Sequence, residues 1–172
     1  SLTVTGTLTN SAGAGGLLIE NGGSLITNGI VTGSATIKKL ITNDNKWHFI
    51  SSPVSGQNIS DGNFASATFN STVGATYDFY KWSEGNQSEN LNWLNLKKTD
   101  WFLNTTDFGA TPQFEVGKGY LVAYASGFAG STTKAFSGSL TTGDQTIALT
   151  TGGNTYNLIG NPFASAIDWD KV

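Results

Sequence analysis

KWHFISSPVSG, Lys46 to Gly56, returns late in the chain as TYNLIGNPFAS, Thr155 to Ser165. Trp47 falls over Tyr156, Phe49 over Leu158, Ile50 over Ile159, Pro53 over Pro162 and Val54 over Phe163, at a constant separation of 156 − 47 = 109 positions. Each copy reads as a strand that ends at proline, which has no N–H to give an interior ladder. The expectation is two central strands that send their aromatic and aliphatic residues into one core and leave it at a proline-led corner. A duplicated corner means two equivalent places: either the second copy closes the sheet, or it opens a further unit. Closure is the preferred reading. The stretch carries architecture and no chemistry.

The runs before the first copy are shorter. LTVTGTLT, GLLIE, GSLIT, GIVTG and ATIKKLI alternate apolar and polar residues and are separated by Gly, Asn and Ser. Alternation with period two marks strands, and the Asn-Gly and Gly-Gly steps mark turns. Their regular recurrence suits the rungs of a β-solenoid, each stacking its Leu, Ile and Val on the next; an antiparallel meander is the plainer alternative. An open first rung would need a neighbour, so the chain reads as an excised part of a longer protein. After the first copy, ATYDFYKWSE alternates again, with Tyr77, Phe79 and Lys81 on one face and Asp78, Tyr80 and Trp82 on the other. Strands are also expected within QFEVGKGYLVAY and on both sides of Thr-Gly-Asp in KAFSGSLTTGDQTIALTT. The fold class is therefore all-β: a short solenoid-like segment over 1–43 leading into a β-sandwich, jelly-roll-like, over 44–172.

Composition narrows the function. The 172 residues can bury one main core, and 38% apolar with 12% aromatic residues exclude a disordered tail. Only 12% are charged, against about 25% in an average soluble domain, so hydroxyls and amides solvate the surface, as in many extracellular β-proteins. All nine basic residues are Lys and the net charge is −3, which argues against a nucleic-acid partner. Without cysteine there is no disulfide and no thiolate metal site. No apolar run reaches the length of a membrane-spanning helix, so membrane insertion is not expected.

These pieces together, namely GSATIKKLI, KWHFISSPVSG, FEVGKGYLVAY, FSGSLTTGDQTIALT and above all YNLIGNPFASAIDWD, resemble surface and secreted proteins of Bacteroidetes-type bacteria, many of them cargo of the type IX secretion system. The resemblance covers most of the chain outside roughly 57 to 112. It implies a secreted or outer-membrane cell-surface location and an accessory role beside adhesive repeats or secreted hydrolase domains. It transfers no binding residue.

Catalysis finds little support among the residues. The single histidine, His48, lies inside the WHFIS run with only Ser51 and Ser52 near it in sequence, and no G-x-S-x-G motif is present. A glycoside hydrolase would need two carboxylates facing one cleft and stays a remote alternative. No cofactor is expected. If a cation were held, structural Ca²⁺ would suit the Asx-rich loops around Asp44, Asp61, Asp168 and Asp170, although such loops ordinarily bond their own backbone. Sugar rings pack on flat aromatic faces while amides and carboxylates bond their hydroxyls, so Tyr80, Trp82, Trp93 and Trp101, with Asn92 and Asp100, form the candidate ligand set. Core packing is the commoner fate of any one Trp. The preferred function is a non-catalytic module for adhesion or for presenting neighbouring domains, with a carbohydrate-binding module as the alternative. Its partners would be the rest of a longer chain and a polysaccharide or another surface protein.

Overall fold

The computed structural model describes residues 1–66, 76–84, 92–96, 112–153 and 155–172. Twelve strands run through them: β1 Leu2–Val4, β2 Leu8–Thr9, β3 Leu18–Ile19, β4 Leu25–Thr27, β5 Val31–Thr32, β6 Ser34–Leu40, β7 Trp47–Ile50, β8 Val54–Ser55, β9 Tyr77–Trp82, β10 Trp93–Asn95, β11 Tyr120–Tyr124 and β12 Thr133–Leu140. The chain is all-β, and the described residues also hold two short 3₁₀ turns, at Ala14–Gly16 and Trp169–Lys171. No described helix is long and apolar enough to cross a membrane.

The first forty residues pair in parallel. β1 lies on β4 with Leu2 opposite Leu25, and β2 lies on β5 with Leu8 opposite Val31. Both pairs have the same offset, 25 − 2 = 31 − 8 = 23 residues. Gly6 and Gly29, Thr9 and Thr32, Ser11 and Ser34, and Ala12 and Ala35 repeat at that same spacing. Parallel strands require a long connection rather than a hairpin, and this pairing overturns the meander alternative. β3 pairs with β6 at an offset of 36 − 18 = 18, because the AGAGG turn at 12–16 takes up five extra residues of the first copy. Gly33, at φ 96°, holds a conformation that L side chains rarely adopt, and a Cβ there would run into the carbonyl of Asn10.

Two four-stranded sheets follow, with orders β3-β6-β12-β8 and β10-β9-β11-β7. β6 joins them to the parallel segment: it holds β3 on one edge and a seven-residue antiparallel ladder with β12 on the other. Ala35 and Ile37 of β6, Phe136 of β12, Tyr77 and Phe79 of β9, and Tyr120, Val122 and Tyr124 of β11 all enter one buried cluster. Phe64 and Phe114, from irregular segments, bridge the sheets. Phe114 stands 5.3 Å from Phe136 and 5.0 Å from Tyr120, ring centre to ring centre, and Phe64 stands 4.6 Å from Phe136. Each such edge or tilted pair adds about 0.5–1.5 kcal/mol to the burial itself.

The repeated motif folds differently from expectation. Among the described residues β7 is the edge strand of its sheet rather than a central one, and the second copy forms no strand; it has a single bridge there, Ile159 to Lys118. Two local features account for this. Thr155 sits at φ 64°, off the extended path. The Asn157 carboxamide accepts from the Thr150 N–H at 3.0 Å and donates to its carbonyl at 3.0 Å, standing in for a backbone ladder. The same contact helps explain why TIALT, expected as a strand, is not one. The corners themselves are equivalent. The Val54 N–H donates to Ser52 Oγ across Pro53, and the Phe163 N–H donates to Asn161 Oδ1 across Pro162. The copies also touch, through a 2.8 Å bond from Ser51 Oγ to the Asn161 carbonyl.

Candidate functional site: the aromatic face of the antiparallel sheet

Alternation along β9 turns Tyr77 and Phe79 into the core and leaves Asp78, Tyr80 and Trp82 on the outer face, half-buried. Register carries this face across the sheet. Trp93 of β10 pairs with Trp82, Leu121 of β11 pairs with both Tyr80 and Phe49, and Ala123 pairs with both Asp78 and Trp47. The outer face therefore presents aromatics from β7, β9 and β10 around a floor of smaller β11 side chains. Trp47 reaches across Ala123 to Tyr80 at 5.8 Å; Tyr80 meets Trp93 at 6.4 Å and Trp93 meets Trp82 at 5.0 Å, all edge to face. Trp47 is 54% exposed and Phe49 69%. The two residues nominated as inward-facing in the repeated motif thus point outward, and His48 and Ile50 face in. Every residue of WHFI can be buried, so periodicity alone leaves the parity of β7 open; pairing of His48 with Val122 and Ile50 with Tyr120 decides it.

Several polar groups here are committed to holding the face. Trp82 Nε1 donates to the Tyr156 carbonyl at 2.7 Å and to Glu84 Oε2 at 3.0 Å, so its ring is pinned while part of its surface stays open. Asn92, nominated as a ligand contact, donates from Nδ2 to the carbonyls of Ser83 at 2.8 Å and Glu84 at 3.5 Å. These bonds tie Asn92, just before β10, to the two residues that follow β9. Asn95 is buried and donates to Asp78 Oδ1 at 3.3 Å. Trp101 and Asp100 lie outside the described residues.

The four nominated metal-site carboxylates are not brought together. Asp44 Oδ1 accepts from the Lys46 N–H at 3.1 Å, and Asp61 Oδ1 accepts from the N–H groups of Asn63 and Phe64 at 2.8 and 2.9 Å. Asp168 Oδ1 accepts from the Asp170 N–H at 3.2 Å. These are Asx turns, in which the carboxylate closes its own loop. Local desolvation pushes the Asp44 carboxyl upward, but the Lys46 N–H, the Thr42 hydroxyl and the Lys46 ammonium together hold it below the ordinary value. Among the described residues no three His, Cys, Asp or Glu side chains are grouped to hold a metal ion.

Residues 1–172 match the family described as "Domain of unknown function (DUF8693)". The chain belongs to that family. No match is found among curated proteins or among solved structures. The match covers the parallel segment, both sheets and both proline corners, so the aromatic face belongs to the family's own domain. Tyr80, Trp82 and Trp93 were legible from sequence as a cluster of aromatics among amides. Trp47 and Phe49 were missed because they sit in a stretch that reads as core.

Proposed function

We propose that the chain is a non-catalytic adhesion module, secreted or displayed on the outer-membrane surface, and that it holds polysaccharide on the outer face of the β10-β9-β11-β7 sheet. The observation that carries this reading is the cluster Trp47, Tyr80, Trp82 and Trp93, contributed by three strands of one sheet on the side away from the core, with Trp47 exposed and the other three half-buried. Sugar rings have apolar C–H faces that match such surfaces. Aromatic groups with a wet edge are the usual anchors of binding surfaces. The edge-to-face angles of 60°, 85° and 75° favour a single twisted chain over a flat crystalline surface, which would call for coplanar rings.

The architecture is read as a jelly-roll sandwich carried on the end of a short solenoid. Support comes from the strand order β6-β12-β8, continued where 57–59 pair with 112–114, set against β7-β11-β9-β10. The parallel pairs at 23-residue spacing support the solenoid. In this reading the solenoid presents the domain, and the type IX cargo resemblance supplies its setting. The experiment is tryptophan fluorescence of the domain titrated with a panel of soluble polysaccharides. A saturable change with one polymer is expected, abolished in Trp47→Ala and weakened at least tenfold in Tyr80→Ala. Absence of binding by every polymer, or undiminished binding by both variants, refutes the reading.

A further inference from the structure

β1, β2 and β3 are three edges at one end of the parallel stack. They lie on β4, β5 and β6, and no described residue pairs with their other sides. The Leu2 N–H donates to the Ser24 carbonyl and the Val4 carbonyl accepts from Asn28; Leu8 and Asn10 donate to Ile30 and Thr32; the Leu17 carbonyl accepts from Thr36. Alternate residues of a strand turn their backbone groups to opposite neighbours. Thr3, Thr9 and Leu18, which sit between or beside the bonded residues, therefore direct N–H and C=O outward. Side chains are open in the same direction: Leu2 is 59% exposed where its partner Leu25 is 5%, and Val4, Leu8 and Leu17 are only partly buried against the core.

Exposed sheet edges are ordinarily blunted by charge, proline or a bulge, and the last unit of a stacked repeat ordinarily has a polar outer face. Residues 1–19 contain no Asp, Glu, Lys, Arg, His or Pro. Gly6 adds a second, independent sign. A Cβ on Gly29 would strike the Gly6 carbonyl, so Gly29 is required by the rung stacked on it. Gly6 holds the same place one rung earlier, yet a Cβ there would meet nothing and its φ is not positive. Its lack of a side chain is explained by a further rung whose carbonyl lies against it as its own lies against Gly29.

A second copy of the chain does not supply that rung. The opposite end of the stack is taken, since β6 pairs with β12 and the Leu25 N–H donates to the Ala164 carbonyl, so copies cannot stack head to tail. A two-fold axis would set the meeting strands antiparallel or turn one interior outward.

We propose that the β1–β2–β3 edge receives a further rung of the same 23-residue repeat, laid on it in parallel by polypeptide joined ahead of β1; the inference rests on the solenoid reading and is independent of the polysaccharide. The rung bonds the outward groups of Thr3, Thr9 and Leu18 and covers Leu2, Val4 and Leu8.

The test joins a duplicate of residues 2–24 ahead of residue 2 in the full chain, with a scrambled order of the same residues as control, and follows amide exchange by NMR. Exchange at Thr3, Thr9 and Leu18 should slow at least about tenfold, and Tm should rise; the scrambled extension should do neither. Gly6→Ala in the parent should leave Tm within about 2 °C, as a surface substitution does, but should remove the gain in the extended chain. Leu8 and Asn10 protected, with the three outward amides unmoved by the true repeat, overturns the docking edge and leaves the solenoid reading standing. Leu8 and Asn10 unprotected in the parent refutes both. Protection of the outward amides that grows with concentration of the parent makes a second copy the occupant and also overturns the proposal. Should the extended chain misfold, the 2–24 peptide added to the parent at millimolar concentration decides by the same three amides: slowing supports the rung, and unchanged exchange overturns it.

Discussion

Lys134 offers the sharpest test of the packed core. Its side chain is fully buried, Nζ donates to the Asn63 carbonyl at 2.7 Å, and the ammonium lies 3.8 Å from the centre of the Tyr124 ring and 4.5 Å from that of Phe128. Burial pulls its pKa down to about 8, against a smaller upward pull from the Asp61 carboxylate. In the unfolded chain the same amine titrates near 10.4. Between those values the unfolded chain holds a proton that the folded chain has released, so stability rises with pH across that window. Below it both states are charged and the full cost of burying the ammonium is present. At about 1.4 kcal/mol per pH unit the whole window is worth roughly 3 kcal/mol. The two ring contacts favour the charged form by about 1–2 kcal/mol, which leaves a net rise of roughly 1–2 kcal/mol. For a domain of this size that is a rise in Tm of about 3–6 °C between pH 8 and 10.4, most of it in the upper half of that window. Near-UV circular dichroism melts at constant ionic strength measure it. Burial raises the Tyr120 and Tyr124 phenols well above their ordinary value, so above pH 10, where unfolded tyrosines ionise, stability should fall again. Lys134→Met should be flat across the lower window whatever its stability at pH 7, which also reflects the Asn63 carbonyl left without its donor. Parallel profiles for the variant and the parent would refute the reasoning.

Two substitutions probe the architecture. In Gly160→Ala the new Cβ would stand 2.6 Å from the Lys118 carbonyl oxygen and press into the Ser51 side chain. Backbone cannot yield cheaply, so urea unfolding should show a loss of about 2–3 kcal/mol, and a change under 0.5 kcal/mol would mean that the two proline corners do not meet as described. Gly33→Ala should cost roughly 2 kcal/mol through its positive φ and its clash with Asn10. Amide exchange should quicken at Leu8 and Asn10, which bond to Ile30 and Thr32, while β11 keeps its protection; uniform loosening of the whole domain would count against a locally stacked segment.

How far the sequence could be read depended on whether one rule or several governed a stretch. In β9 alternation alone separates Tyr77, Phe79 and Lys81 from Asp78, Tyr80 and Trp82, but each face carries aromatics and one charge, so packing decides that Tyr77 and Phe79 are the buried pair. In WHFI both faces are apolar or aromatic, so alternation cannot say which is inside. The same ambiguity hid Trp47 and Phe49 from the candidate ligand set. The Asn residues misled in the opposite direction. Asn92 looks like a surface amide free to meet a sugar, yet its Nδ2 is spent on the Ser83 and Glu84 carbonyls; Asn157 and Asn161 likewise bond backbone at a turn and a corner. Such assignments depend on which carbonyl or N–H arrives from elsewhere in the chain.

By itself, the sequence determined an all-β chain, short repeated strands before residue 42, a lightly charged hydroxyl and amide surface, and a proline corner used twice, since composition, period two and proline chemistry act locally. Only the tertiary structure decided that the early strands stack in parallel, that β7 is an edge strand with its aromatics outward, and that the second corner docks on the first. Those outcomes rest on pairing register between segments up to 110 positions apart, and a shift of one residue in register would exchange every inward and outward side chain.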